Sequence, residues 1–205
     1  MSGQDQTVYI VEDDEAVRDS LSLLLESEGL AVRAYDRASR FLEDWRPDMA
    51  GCVVLDIRMP EMDGMELQEA LLERGSDLPI IFVTGHGDVP LAVEAMRKGA
   101  VDFIEKPYHE EQLLEKIRAA LSENAEHRQV REEKQVVLER LAELTPRERE
   151  IMDRMIAGQA NKVIAIELNI SQRTVEIHRS RVMHKMGTHS LAQLVRMVLN
   201  VQDEA

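Results

Sequence analysis

Between residues 7 and 121, short apolar runs alternate with segments of helical period, and this alternation constrains the chain more than any other feature. The runs fall at 7–11 (TVYIV), 31–35 (AVRAY), 52–55 (CVVL), 80–83 (IIFV) and 102–105 (DFIE). Three of the five are nearly all apolar, as expected of parallel strands covered on both faces. Residues 16–28 carry Val17, Leu21, Leu24 and Leu25 on one stripe, with Asp14 as the cap and Gly29 as the stop. Asp36 is the expected cap of a helix over 37–45. A helix over 64–74 stops at Gly75, one over 89–98 stops at Gly99, and the last of the series begins near His109. Five strands alternating with five helices make a doubly wound α/β fold, which places ligands at the carboxyl ends of its strands.

The residues at those ends are chemically specific. The first strand runs into Glu12, Asp13 and Asp14, the third ends at Asp56, the fourth at Thr84 before Gly85-His86-Gly87, and the fifth at Lys106-Pro107. Carboxylates converging from two strands repel unless a hard divalent cation lies between them, and an all-oxygen set favours Mg²⁺. A hydroxyl and an ammonium opposite them suit the oxygens of a phosphoryl group. Together these imply a metal-assisted phosphoryl site with an aspartate as acceptor. Taken singly, each piece has an ordinary reading: a helix N-terminal charge cluster, a turn aspartate, a tight Gly-His-Gly turn. Their placement at four strand ends distinguishes them.

A formal net charge of −14 argues at first against nucleic acid, since phosphate binding needs Lys and Arg. The charge is unevenly spread. Residues 1–125 hold 12 Lys and Arg against 27 Asp and Glu, whereas residues 158–200 hold 6 against 2. Such asymmetry indicates two domains with different partners. Pro146 alone breaks residues 108–157, so the connector over 109–140 reads as helix, with Leu113, Leu114, Ile117 and Leu121 packing on the sheet. Three clean heptads are absent from it, which favours a solvated lever over a dimeric coiled coil.

From Leu144 onward only helices are expected. Thr145-Pro146-Arg147-Glu148 is a helix start with its apolar stripe at Ile151, Met155 and Ile156, closed by Gly158. Asn161 is the expected cap of a short helix to Leu168, and Asn169-Ile170 a tight turn. Ser171 caps a helix through Met186 with core positions Val175, Val182 and Met186. Its opposite face carries Arg173, Glu176, Ile177, Ser180, Arg181 and His184. A fourth helix over 190–200 turns Leu191, Leu194, Val195 and Val198 inward. Two helices joined by a short turn, the second of them basic, form a helix-turn-helix arrangement.

The segments VYIVEDDEAVRDSL, VVLDIRMPEMDGMEL and VTGHGDVPLAVEAMRKGAVDFIEKP, in that order, resemble the receiver domain of two-component response regulators of the NarL/FixJ group. The segment LTPREREIMDRMIAGQANKVIAIELNISQRTVEIHRSRVMHKMG is similar to LuxR-type helix-turn-helix domains. The resemblance implies a five-stranded parallel sheet of order 2-1-3-4-5 over residues 5–122, a helical linker over 123–140, and a four-helix DNA-binding domain over 141–205 with its motif at 164–183. It implies that Asp56 accepts a phosphoryl group from a sensor histidine kinase. The implied Mg²⁺ ligands are Asp13, Asp56 and the backbone carbonyl of Arg58, with Glu12 completing the acidic pair and Asp14 a lesser candidate. Thr84 and Lys106 would hold the phosphoryl oxygens, Phe103 fills the aromatic switch position, and Lys106-Pro107 corresponds to a cis bond. In the second domain Arg173, Glu176, Ile177 and Ser180 would meet base edges, and Asn161, Lys162, Thr174, Arg179, Arg181 and Lys185 would position phosphates. Glu176 has the alternative of pairing with Arg173 or Arg179 along its helix. The implied partners are the kinase, double-stranded promoter DNA, a second copy of the chain when phosphorylated, and RNA polymerase.

Two other classes fit less of the chain. A Mg²⁺-dependent phosphohydrolase with an aspartyl nucleophile explains the acidic strand ends but not the C-terminal helices, and no second Asp lies two residues from Asp56. An unphosphorylated receiver serving only to dimerise leaves the filled site positions unexplained. The chain is therefore read as a phosphoacceptor, with slow self-dephosphorylation its only turnover. Cys52 is the single cysteine, which excludes a disulfide framework, and it reads as a buried thiol. No apolar run is long enough to span a membrane, and the start MSGQDQT has no leader pattern, so the expected setting is cytoplasmic.

Overall fold

The computed structural model describes residues 6–85 and 89–202. Ten elements alternate first: β1 (Thr7–Val11), α1 (Glu15–Ser27), β2 (Ala31–Tyr35), α2 (Ala38–Asp44), β3 (Gly51–Asp56), α3 (Gly64–Glu73), β4 (Ile80–Thr84), α4 (Val89–Arg97), β5 (Asp102–Glu105) and α5 (Glu110–Ala142). The five strands form one parallel sheet of order β2-β1-β3-β4-β5, as the alternation and the resemblance imply. His86 and Gly87, the rest of the expected Gly-His-Gly turn, lie outside the described residues.

The period of two along each strand divides the core into two layers. Val8, Ile10, Cys52, Val54, Ile81, Val83 and Ile104 pack with Leu21 and Leu25 of α1 and with Leu113, Ile117 and Leu121 of α5. Tyr9, Val11, Val53, Leu55, Ile80 and Phe82 pack with Phe41 of α2, Leu67 and Leu71 of α3, and Ala95 of α4. A strand with covers on both faces has no polar alternation to show, which explains why β3 reads as a continuous apolar run. Each fully buried Leu, Ile or Phe contributes about 1.5–3 kcal/mol relative to exposure. Burial holds the Cys52 thiol at about 12, so it stays protonated.

One buried polar side chain ties the helix layer to the sheet. Asn124, late in α5, accepts a hydrogen bond from the Gly51 N–H (3.0 Å) and donates one to the Asp77 carbonyl (3.2 Å), tying the helix to the starts of two strands. Gly51 itself lies so near β1 that a Cβ would overlap the Thr7 carbonyl oxygen at 1.8 Å.

The chain divides into two compact units between His127 and Arg128, inside the 123–140 stretch expected as a linker. In the second unit α6 (Pro146–Ile156), α7 (Asn161–Glu167), α8 (Gln172–Lys185) and α9 (Leu191–Gln202) follow the end of α5. Ile151, Met152 and Met155 of α6, Ile164 of α7, Val175 and Val182 of α8, and Leu194 and Val198 of α9 form its core. The box at Thr145 and Glu148, with Pro146 in the first turn, starts α6 as expected.

Three local expectations are corrected. Asp36 does not cap α2: the helix begins at Ala38, two residues on, and the Asp36 carboxylate pairs with Arg37 (3.2 Å) and Arg40 (3.7 Å) instead. Asn161 is the first residue of α7 rather than its cap, a position Ala160 holds without a side-chain bond. Leu191 is exposed because α9 starts there, and the helix's buried stripe is Leu194, Val198 and Val201, four and three residues apart.

Candidate phosphoacceptor site and DNA-reading face

Strand register assembles the first site. Val11 pairs with Leu55 and Asp56 with Val83, so Glu12 follows β1 beside the end of β3, and Thr84 lies one step beyond Asp56 on the next strand. Thr84 pairs with Glu105, and the Lys106 N–H donates to the Thr84 carbonyl (2.7 Å), which brings Lys106 to the same edge. Carboxylate oxygens of Glu12, Asp13 and Asp56 come within 4.8 Å of one another. Glu12 and Asp56 are buried and Asp13 is exposed, so the acidic group opens to solvent on one side. The Lys106 ammonium bridges the buried pair, 2.8 Å from Glu12 Oε2 and 3.5 Å from Asp56 Oδ1.

Burial, with Glu12 as a like-charged neighbour, pushes the Asp56 carboxyl up to about 6, even though Lys106 acts in the opposite sense. Lys106 is itself raised: burial opposes its charge, but Glu12 and Asp56 outweigh that cost. Three oxygen ligands, two of them buried and mutually repelling around an acidic group, are a donor set suited to a hard divalent cation.

The remaining expected residues fall as follows. Thr84 is fully buried and its hydroxyl donates to the Gly85 carbonyl (3.1 Å). Phe103 is half-buried against the α2–α4 layer. Arg58 is exposed two residues beyond β3. The Lys106-Pro107 peptide is cis, as the resemblance implies. Asp14 belongs to the helix and not to the acidic group: its Oδ1 accepts from the N–H groups of Ala16 (2.9 Å) and Val17 (3.1 Å).

Two contributors escaped the sequence reading. Arg18 of α1 donates from Nη1 to the carbonyls of Glu12 (2.8 Å) and Asp13 (3.2 Å), pinning the acidic loop. Its place on the first helix, one turn after the cap, was the available signal. Gly64 opens α3 with its N–H on the Ile57 carbonyl (2.8 Å), and a Cβ there would lie 2.3 Å from the Asp56 carbonyl oxygen. That approach depends on a contact across the chain and is invisible to spacing.

In the second unit, α7 and α8 form the two helices of the helix-turn-helix, joined through Asn169 at φ 50°. The α8 residues Arg173, Glu176, Ile177, Ser180, Arg181 and His184 lie on its outer face; Ile177 is 47% exposed despite being apolar. Glu176 makes no ion pair with Arg173 or Arg179 among the described residues. Lys162 is exposed at the start of α7; Asn161 and Thr174 are half-buried, and the Thr174 hydroxyl bonds that of Ser171 (2.8 Å). Lys185 differs from the other cations. Its ammonium donates to Glu148 Oε2 (2.7 Å) and to the Glu143 carbonyl (3.0 Å).

No helix among the described residues is long and apolar enough to cross a membrane. Residues 8–118 match the response regulator receiver domain family, and residues 142–198 match the bacterial regulatory proteins of the luxR family. The chain is 47% identical over 192 residues to the transcriptional regulatory protein FixJ of Azorhizobium caulinodans, covering 94% of this chain and 91% of that one. It is 43% identical over 203 residues to the response regulator protein TodT of Pseudomonas putida, covering 99% and 89%. Among solved structures it is similar to the response regulator StyR, with a TM-score of 0.91, 46% identity and coverage of 95% and 98%. Full-length FixJ from B. japonicum gives a TM-score of 0.60 at 44% identity, with 98% of each chain covered. With a receiver site at the strand ends of the first unit and a helix-turn-helix in the second, the chain belongs to the two-component response regulators of the NarL/FixJ group, which bind DNA through a LuxR-family domain.

Proposed function

We propose that Asp56 is the phosphoacceptor of this regulator and that its phosphorylation requires Mg²⁺. The observation that carries the reading is the buried Asp56 carboxylate, set between the Glu12–Asp13 pair and the Lys106 ammonium at one sheet edge. An Asp56 oxygen forms the bond to phosphorus while the donor's P–N bond breaks, its electron pair staying on the histidine nitrogen of the sensor kinase. Lys106 already faces the acceptor and pairs with the incoming oxygens. Thr84 turns its hydroxyl from the Gly85 carbonyl to the phosphoryl group, and Phe103 fills the space behind it. Glu12, Asp13, Asp56 and the Arg58 carbonyl would hold Mg²⁺, which would supply positive charge to offset the negative charge of the transferred group. Arg18 keeps the acidic loop in place.

On this reading the exposed face of α8 enters the major groove. Arg173, Glu176, Ile177 and Ser180 meet base edges, while Asn161, Lys162, Thr174, Arg179 and Arg181 contact phosphates. The partners are a sensor histidine kinase, promoter DNA, a second copy of the chain once phosphorylated, and RNA polymerase. Turnover is limited to slow loss of the phosphoryl group. The test is incubation with acetyl phosphate and Mg²⁺ followed by intact-mass measurement. One added phosphoryl group is expected, absent in Asp56→Asn and absent with EDTA; a gain that survives Asp56→Asn would overturn the assignment.

A further inference from the structure

Lys185 is in the last turn of α8, where a cation also favours the helix dipole. Its ammonium is held between Glu148 Oε2 (2.7 Å) and the Glu143 carbonyl (3.0 Å). Glu148 is only 3% exposed. The same Oε2 accepts the Thr145 N–H (2.9 Å), closing the box that starts α6. The Lys185 ammonium and the Thr145 backbone hold the Glu148 carboxyl down to about 2, so Glu148 is a carboxylate across the physiological range. Just beyond, Arg140 donates to the Met186 carbonyl that ends α8 (2.9 Å). Gly187 there has φ 63°, and a Cβ on it would lie 2.7 Å from the Arg140 guanidinium, which would have to shift. The carboxyl end of α8 is thus fastened to α6 and to the end of α5, while the outer face of its amino-terminal half is exposed.

An ion pair with one member buried, here Glu148, is costly to break from one side, and in some proteins such a pair serves to define one geometry. A reading helix gains specificity from the angle at which it presents its side chains, and a small tilt about its fixed end displaces Arg173 most, and Glu176 and Ile177 more than Ser180. We propose that Lys185 is not a phosphate contact but a positioning residue, which through Glu148 fixes the pitch of α8 and hence sequence discrimination. The proposal rests on α8 being the element that enters the groove.

The two roles differ in salt dependence. A phosphate contact contributes about one unit to the slope of log affinity against log salt. The probes are a duplex selected by the wild-type chain from a random-sequence pool, and poly(dI-dC). With Lys185→Met, affinity for the selected duplex is expected to fall about tenfold, an ordinary size for a coupled pair. Affinity for poly(dI-dC) and the salt slope stay as in wild type. Glu148→Gln keeps an acceptor for the Thr145 N–H but removes the charge. It reproduces the loss of discrimination, and the double variant is no worse than either single one. A slope reduced by about one per chain in Lys185→Met overturns the proposal, as does unchanged or tighter specific binding by Glu148→Gln. Should Lys185→Met fail to fold, Glu148→Gln decides alone. Arg173→Ala and Ile177→Ala, expected to weaken selected binding more than poly(dI-dC) binding, test the placement of α8 separately.

Discussion

Replacing Asp56 by Asn should stabilise the metal-free protein, and the gain should depend on pH. Burial and Glu12 raise the Asp56 carboxyl from 3.8 to about 6 in the folded chain. Between those values the folded state binds a proton that the unfolded state has released, so stability falls as pH rises through the window. Above about pH 6 the folded protein bears the whole cost of the charged form. A rise of that size sets a ceiling of about 3 kcal/mol on this cost. Solvent at the open side of the site and relaxation of Lys106 screen part of it, leaving about 1–2 kcal/mol. Asn carries no charge to desolvate and retains an oxygen for the Lys106 ammonium. Urea unfolding of the full chain in EDTA measures this directly, because Trp45, the single tryptophan, is buried in the first unit and reports its unfolding. The difference between variant and wild type is expected to be near zero at about pH 4 and to reach about 1–2 kcal/mol by about pH 7. A difference that is constant with pH, or an Asn variant less stable at neutral pH, would refute the electrostatic account of the site.

Two further substitutions probe how the site and its sheet are held. Gly64→Ala places a methyl group against the Asp56 carbonyl and should cost about 1–3 kcal/mol, with slower labelling by acetyl phosphate; wild-type values for both would show that the approach is not needed. Asn124→Ala leaves the buried Gly51 N–H without its acceptor and should cost about 1–3 kcal/mol in the same tryptophan-detected unfolding.

The fold was legible because strand and helix periods alternate without interruption and the strands end on residues with no apolar role. Glu12, Asp13, Asp56, Thr84 and Lys106 could be picked out as neighbours once a parallel sheet was assumed, since parallel strands put their carboxyl ends along one edge. Two of the missing contacts depend on distance in sequence. Glu148 and Lys185 are far apart along the chain, and each has an ordinary local reading, one as a capping residue and the other as a cation on a basic helix. Neither reading reveals that they meet. Asn124 is similar: a polar residue among charged ones in a long helix gives no sign that it is buried. The misplaced cap at Asp36 has a different cause, because two arginines within reach competed for its carboxylate and the helix began later.

The position of Asp56 also has a mechanical consequence. β3 is the central strand, covered on both faces and bonded along both edges, so its amides should be among the slowest to exchange with solvent. β5, which leads to Lys106, is an edge strand with one buried residue in four. A group attached to Asp56 is therefore anchored to the stiffest part of the receiver and flanked by one of its softer parts. Strain introduced there has little freedom to move the acceptor, and relaxes by shifting the edge around it.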